Sequence, residues 1–489
     1  MKRLALIGIS AIALTVTGCR VGPNYVRPAA TATPPSFKEQ PPSTFSAEGW
    51  KVAQPADMLV KGDWWTMFGD AQLNALEAQV DPANQSLRAA EANYRAAAAD
   101  VAFYRANRAP TVGVAPAVST VRNSSNQPYF NQNSAAAGAN GVGNLSLPFS
   151  LNYEVDLWGR VRRSIQQAGD QAQATAADRE NIRLSLHAEL ANDYLDLRAA
   201  DAQKKLLHET VGAFLRALQL TQDRYDGGAA PLSDVSQARV QLQSAQVQET
   251  DVDVQRAQLE HAIAVLIGKA PADLSIPRTP VTVAPPVIPD VPGMLPSQLL
   301  ERRPDIASAE RRMAASNEQI GIAEAAFYPT LSISAAAGFV GTSAVNWFTW
   351  PSRFFAVGPT LSQTLYDHGR RRSLTDIARA NYDSTVADYQ QTTLEAFQQV
   401  EDNLAALHQL EVEAEQQRGA TASAQQSLDL FNVRYEGGVD TYLQVITWQT
   451  SLLQNQRNDI DIQRGRLADT VLLIKALGGG WNQASLPKP

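Results

Sequence analysis

"RYDGGAAPLSDVSQARVQLQ" (residues 224–243) and "RYEGGVDTYLQVITWQTSLL" (residues 434–453) carry one phrase twice, with a long polar helical pattern on each side. A repeat is tested before any local pattern, because missing one mis-assigns the whole architecture. A displacement of 210 positions lays Arg224, Tyr225, Gly227 and Gly228 on Arg434, Tyr435, Gly437 and Gly438 without a gap. It also pairs Leu242 with Leu452, Arg256 with Arg466 and Gly268 with Gly478, and upstream it sets Gly159 and Arg160 on Gly369 and Arg370. The chain is therefore read as two copies of one large unit.

Proline spacing measures the parts of that unit. No proline occurs between Pro148 and Pro231, or between Pro359 and Pro487. The first gap admits a helix over 159–225 and the second its twin over 369–435, each 67 residues. At 1.5 Å per residue such a helix is about 100 Å long. The pairs Gly227/Gly228 and Gly437/Gly438 end these helices, since glycine readily takes the left-handed conformation just past a helix terminus. Shorter helices then return over 233–268 and 442–478. On the first long helix Ile182, Leu186, Leu190, Tyr194 and Leu197 form one apolar stripe. Leu184, Ala188, Ala191, Leu195 and Ala202 form another, about 200° away around the axis. Two opposed stripes mean neighbours on two sides, as in a palisade of helices around a hollow. An antiparallel coiled coil, the competing reading, would show a single seam.

Between the helices the period changes. In "LSLPFSLNYEVD" (145–156) the odd positions Leu145, Leu147, Phe149, Leu151, Tyr153 and Val155 are apolar, and the even positions mostly polar. Period two is a strand with one apolar and one polar face. Weaker alternation follows Thr111, Leu331 and Phe354, giving strand hairpins over 111–157 and 330–366 with aromatic or polar loops at 126–133 and 346–354. Strands of about ten residues with this alternation are the signature of a transmembrane β-barrel. Four strands cannot close one, and lipid forbids open edges, so the reading requires several copies of the chain. The competing reading makes the hairpins ordinary connectors.

The ends and the composition narrow the class. Residues 1–18 read as a secretory signal: Lys2 and Arg3, then an apolar stretch over 4–16, too short to span a bilayer. Val16, Thr17 and Gly18 before Cys19 resemble a bacterial lipobox, in which the cysteine is acylated, and Arg20 after it resembles sorting to the outer membrane. A plain signal peptide with an incidental cysteine is the alternative. Residues 19–62, rich in Pro, Thr and Ser, are expected as an extended arm, and 276–295 as a proline-rich linker between repeats 63–275 and 296–483. Cys19 is the sole cysteine, so no internal disulfide can form. A net charge of −7 offers no basic face for nucleic acid. His187, His208, His261, His368 and His408 are scattered, and no hydrolase, phosphate-loop or metalloprotease phrase is present. No catalytic residue, metal or cofactor is implied.

"LLERRPDIASAERRMAASNEQIGIAEAAFYPTLSISA" (299–335), "CRVGPNYVRP" (19–28), "WWTMFGDAQLNALEAQV" (64–80), "DLWGRVRRS" (156–164) and "ALGGGW" (476–481) together resemble TolC-type outer-membrane efflux proteins, in particular their OprM/NodT-like lipoprotein branch. The resemblance implies an α+β chain and a homotrimer. Twelve strands, four per chain, would form a barrel in the bacterial outer membrane, continued by a periplasmic helical barrel. It further implies docking on a periplasmic adaptor protein and an inner-membrane pump, commonly of the RND class. The function implied is a passive exit duct for small molecules such as drugs or toxic compounds. A trimeric coiled-coil surface or scaffold lipoprotein without a lumen is the alternative. On this reading Gly227, Gly228, Gly437 and Gly438 mark the adaptor-contact tips, and Tyr225, Asp226, Asp234, Tyr435, Asp440, Gln444 and Thr447 are gate candidates. One departure stands out: where well-known members carry aspartates, this chain has Gln444 and Thr447, so an acidic constriction is not implied, and if a charged ring exists Asp440, with Tyr435 below it, is the better candidate.

Overall fold

The computed structural model describes residues 20–30, 34, 36–39, 63–121, 142–278, 300, 302–481 and 486–487. Residues 1–18, expected as a signal segment, Cys19, the loop at 126–133 and most of 276–295, expected as a linker, lie outside the described residues. Each repeat runs helix, strand hairpin, long helix and return helix, and the first adds two short helices at its start and a break in its first strand. In the first, α1 (Ala71–Glu77), α2 (Val80–Ala83) and α3 (Gln85–Ala106) lead into β1 (Thr111–Val114), β2 (Ala117–Val121) and β3 (Val142–Val155). The 67-residue α4 (Arg160–Asp226) and the 35-residue α5 (Leu232–Leu266) follow. In the second, α6 (Pro304–Ala325) leads into β4 (Thr330–Gly341) and β5 (Arg353–Ser362), then the 67-residue α7 (Arg370–Glu436) and the 35-residue α8 (Tyr442–Ala476).

Local chemistry explains the boundaries. Asp70 caps α1 by accepting from the N–H groups of Gln72 and Leu73 at 2.8 and 3.0 Å. The long helices start one residue after Gly159 and Gly369, because both glycines hold a left-handed φ (82° and 87°) that cannot continue into a helix. The strand read from Thr111 is split in two at Pro116, which has no N–H to give to β3. The ladder of β5 stops at Ser362, so residues 363–366 of the expected hairpin are not paired strand.

Both apolar stripes of α4 are covered over part of their length: Leu190, Tyr194 and Leu197 on one and Ala188, Ala191 and Leu195 on the other are buried, while Ile182, Leu184, Leu186 and Ala202 are half-buried. Their neighbours come from different sides, since α4 packs against α3, α5, α6 and α8. The main core draws Trp64, Trp65 and Leu73 together with Ile263 of α5, Leu404 of α7 and Val471 of α8, so both repeats share it. His187 of α4 stacks on Trp65 with ring centroids 4.4 Å apart and is held between Glu77 (2.6 Å) and Asp81 (3.1 Å). Burial pushes the Glu77 carboxyl up to about 7, against the opposing pull of His187.

The arm is part of this packing. Arg163 is fully buried, and its guanidinium donates to the carbonyls of Val21 (2.6 Å) and Pro23 (3.1 Å) and to Glu318 of α6 (2.8 Å). Arg20 reaches the same Glu318 at 2.6 Å. A buried charge is tolerable only when paired and hydrogen-bonded in this way. The arm thereby joins the first repeat to the second.

The five strands form one antiparallel sheet, with β1 and β2 along one side of β3, then β4, then β5. Counting β1 and β2 as one interrupted strand gives four positions. The outer edges, β1/β2 and β5, have no further strand beside them among the described residues. The helices join one end of the sheet and the hairpins close the other.

Candidate functional site

Strand register sorts the sheet into two chemistries. Residues directly opposite in an antiparallel pair share a face. Leu147, Phe149, Leu151 and Tyr153 of β3 stand opposite Phe339, Ala337, Ala335 and Ile333 of β4. Ala337, Ala335 and Leu331 in turn stand opposite Phe355, Val357 and Leu361 of β5. On the other side Leu151 and Phe149 face Val112 and Val114 of β1. One face is therefore apolar along every strand apart from Arg353 at the start of β5, and its large side chains on the edge strands are bare: Val112 is 72% exposed and Phe355 85%. The opposite face pairs Asn152 with Ser334, Glu154 with Ser332, Ser332 with Thr360 and Thr330 with Ser362. These polar pairs, toward the helix end of a face that carries Val340 and Phe354 near the hairpins, need water; the apolar face needs something other than water.

Far from the sheet, α4 and α7 end in the two glycine turns. Gly227, Gly228 and Ala229 return their N–H groups to the carbonyls of Asp223, Tyr225 and Arg224 at 3.0, 2.9 and 2.7 Å. Gly437, Gly438 and Val439 repeat the pattern on Val433, Tyr435 and Arg434. Gly228 and Gly438 both sit at φ 73°, where a side chain is strained although nothing lies within 4 Å of the space it would fill.

The two tips have equivalent backbones and different surfaces. Tyr225 is 38% exposed, whereas Tyr435 is 5% exposed and packed with Tyr442, Val445, Ile446 and Ala238. The Tyr435 and Tyr442 ring centroids are 5.3 Å apart. Burial first, and Tyr435 next, push the Tyr442 hydroxyl up to about 12. The Tyr435 hydroxyl has no hydrogen-bond partner among the described residues. Tyr435 thus packs inward, on its own tip and on Ala238 of α5, rather than acting as an outward hydrogen-bonding group, which the sequence pattern did not separate from the role of Tyr225.

Arginines complete the difference. Arg434 is clamped to Asp440 within its own turn, and this hydrogen bond raises the Arg434 pKa. The position equivalent to Asp440 in the first tip is Ala230, so Arg224 has no such carboxylate. Instead Arg224 crosses to the second tip, donating to the Tyr435 carbonyl at 3.1 Å with its guanidinium 4.6 Å from the Tyr435 ring. Sequence reading missed Arg224; the absent acid at 230 was the signal. Of the remaining candidates, Asp226 accepts from Gln222 at 2.9 Å and Asp234 from Ser233 at 3.4 Å. Gln444 is exposed, and Thr447, also exposed, donates to the Leu443 carbonyl at 2.8 Å. Among the described residues no His, Cys, Asp and Glu cluster could hold a metal ion, and no helix is long and apolar enough to cross a membrane.

Comparison with known proteins agrees with this geometry. The sequence profile described as "Outer membrane efflux protein" matches residues 78–269 and 295–479, once per repeat. The chain is 33% identical over 483 residues to outer membrane protein OprJ of Pseudomonas aeruginosa, covering 98% of this chain and 97% of that one. It is 31% identical to the toluene efflux pump outer membrane protein TtgC of Pseudomonas putida, covering 98% and 96%. Its fold is similar to that of the outer-membrane channel OprN, with a TM-score of 0.84 at 26% identity over 95% of this chain and all of that one.

Proposed function

Starting from the outer membrane efflux protein family, to which this chain belongs, we propose that three copies join their sheets edge to edge into one twelve-stranded barrel. The chain is an outer-membrane efflux duct. The two-faced register of the sheet carries the trimer reading. One apolar face suits lipid, one polar face suits a water-filled lumen, and both edges need a neighbour. Three pairs of helical hairpins then continue the lumen for about 100 Å into the periplasm. Cys19 is acylated and holds the arm at the membrane. The tips dock on a periplasmic adaptor, and an inner-membrane pump of the RND class supplies the energy, because the duct performs no bond chemistry. Substrates are small molecules such as drugs or toxic compounds.

Within this duct, the glycine turns form the periplasmic mouth. Arg224, Tyr225 and Asp440 are its working polar groups, while Tyr435 and Tyr442 keep the second tip rigid. The test is twofold: the mass of the protein in detergent by native mass spectrometry, and its conductance in a planar bilayer. A trimer with discrete single-channel steps is expected. A trimer that never conducts would favour a scaffold without a lumen.

A further inference from the structure

From residue 111 to residue 153, and from 325 to 366, the chain has no aspartate or glutamate, and its sole cations there are Arg122 and Arg353. Arg353 opens β5 opposite Phe339, which puts it on the apolar face at the hairpin end of the sheet. Its Nε donates to the Trp350 carbonyl at 3.1 Å and its guanidinium lies over the Trp350 ring. Neither strand segment offers it a carboxylate. With Nε committed to the Trp350 carbonyl, the guanidinium keeps its two terminal nitrogens, the fork that matches a phosphate.

A trough begins beside it. Ala335 and Ala337 of β4 are small, while Phe149 and Leu151 of β3 and Phe355 and Val357 of β5 rise on either side. The groove next to Arg353 encloses ≈ 580 Å³ and continues into a second of ≈ 330 Å³. From the Phe339 and Arg353 pair to the Ala335 and Val357 pair is about 13 Å at the rise of a strand, the length scale of a fatty acyl chain. Floor and walls come from one chain, so edge-to-edge closure of three sheets leaves the trough facing lipid.

We propose that this trough and Arg353 bind a phosphorylated, acylated lipid of the outer leaflet, with a chain over Ala335 and Ala337 and a phosphate on the guanidinium. The proposal rests on the barrel reading, which puts the hairpin end, opposite the periplasmic helices, at the outer face. Charge complementarity selects this occupant: a cation without acidic neighbours at the mouth of an apolar groove fits an anionic headgroup.

The test uses the full-length protein in phosphatidylcholine nanodiscs doped with lipid A, with retained lipid counted by native mass spectrometry. Arg353→Gln is expected to reduce lipid A retention about tenfold. Ala337→Leu, which fills the trough, should also reduce it, and Arg353→Lys should keep part of it. Lipid A stripped of phosphate should bind the wild type no better than intact lipid A binds Arg353→Gln, and inorganic phosphate should not compete. Equal retention by wild type and Arg353→Gln, or displacement by inorganic phosphate, would overturn the site. Conductance of the same preparations separates the two claims: channels without lipid A preference overturn the lipid site alone, and loss of channels in the wild type overturns the barrel beneath it.

Discussion

The Arg224 bridge is the contact whose removal tests the mouth of the duct. Arg224→Ala deletes a half-buried charge-assisted hydrogen bond to the Tyr435 carbonyl and a stacked guanidinium on the Tyr435 ring. The hydrogen bond is worth about 1 kcal/mol at a partly exposed site and the ring contact about 0.5–1 kcal/mol. Each protomer therefore loses about 1.5 kcal/mol of the attraction between its two tips, roughly tenfold in an opening equilibrium. In a trimer whose tips open together the three losses compound to about a thousandfold; in one whose tips open singly the change stays near tenfold. Ala230→Asp perturbs the same bridge without removing the arginine. It supplies the carboxylate that Asp440 gives Arg434, so the guanidinium should leave Tyr435 for its own turn, as Arg434 already does. Resting open probability in a planar bilayer is the readout. Both variants should raise it, Arg224→Ala the more strongly, with trimer mass unchanged. An Arg224→Ala channel with wild-type open probability would refute the bridge as a closing contact. So would an Ala230→Asp channel that is more tightly closed.

Three further expectations follow from other parts of the fold. Leu151→Arg, on the apolar face, should destabilise the barrel by about 2–4 kcal/mol per chain near the bilayer midplane, whereas Ser150→Arg on the polar face should leave it assembled with altered conductance; equal damage in a heated-gel trimer assay would contradict the face assignment. Glu77 has its carboxyl raised from 4.5 to about 7, so the folded chain holds this proton more tightly than the unfolded one. Its contribution is greatest below about pH 4.5 and is lost as pH rises through about 7. Glu77→Gln should flatten that slope in thermal unfolding scans, and an unchanged slope would assign it to other groups. Cys19→Ser should lose incorporation of labelled palmitate yet remain in the membrane fraction, because a lone acyl chain binds only marginally compared with a barrel; a soluble variant would contradict this.

Much of the architecture is legible before any coordinates because it follows from short-range rules. The period-two stretch at 145–156 assigns both faces of β3, and register then carries that assignment across β4 and β5. Proline-free spans mark where helices of 67 residues run. What escapes such reading depends on distant partners. Arg163 looks like one more solvated charge in "GRVRR", yet its ligands are carbonyls of an arm some 140 positions upstream and a glutamate on α6. Pro116 lies in an alternation too weak to reveal that the strand is cut there. The candidate mouth shows the limit most clearly. The 210-residue displacement equates Tyr225 with Tyr435, but burial is decided by their neighbours: Leu232 stands where the second repeat has Tyr442, and Ala230 where it has Asp440. Tyr442 gives Tyr435 a ring to pack on, and Asp440 takes Arg434 away from the neighbouring tip. Without these two, Tyr225 and Leu232 stay exposed and Arg224 is left to reach across. Two identical tips would give a ring of six equal elements, with nothing to choose which moves. The substitutions at these positions bury Tyr435 and pair Arg434 in the second tip, while Tyr225 and Leu232 stay open in the first. In the proposed trimer both tips therefore offer apolar surface to a neighbour, Tyr225 and Leu232 on the first and Val439 and Leu443 on the second, and the first leans on the second through Arg224.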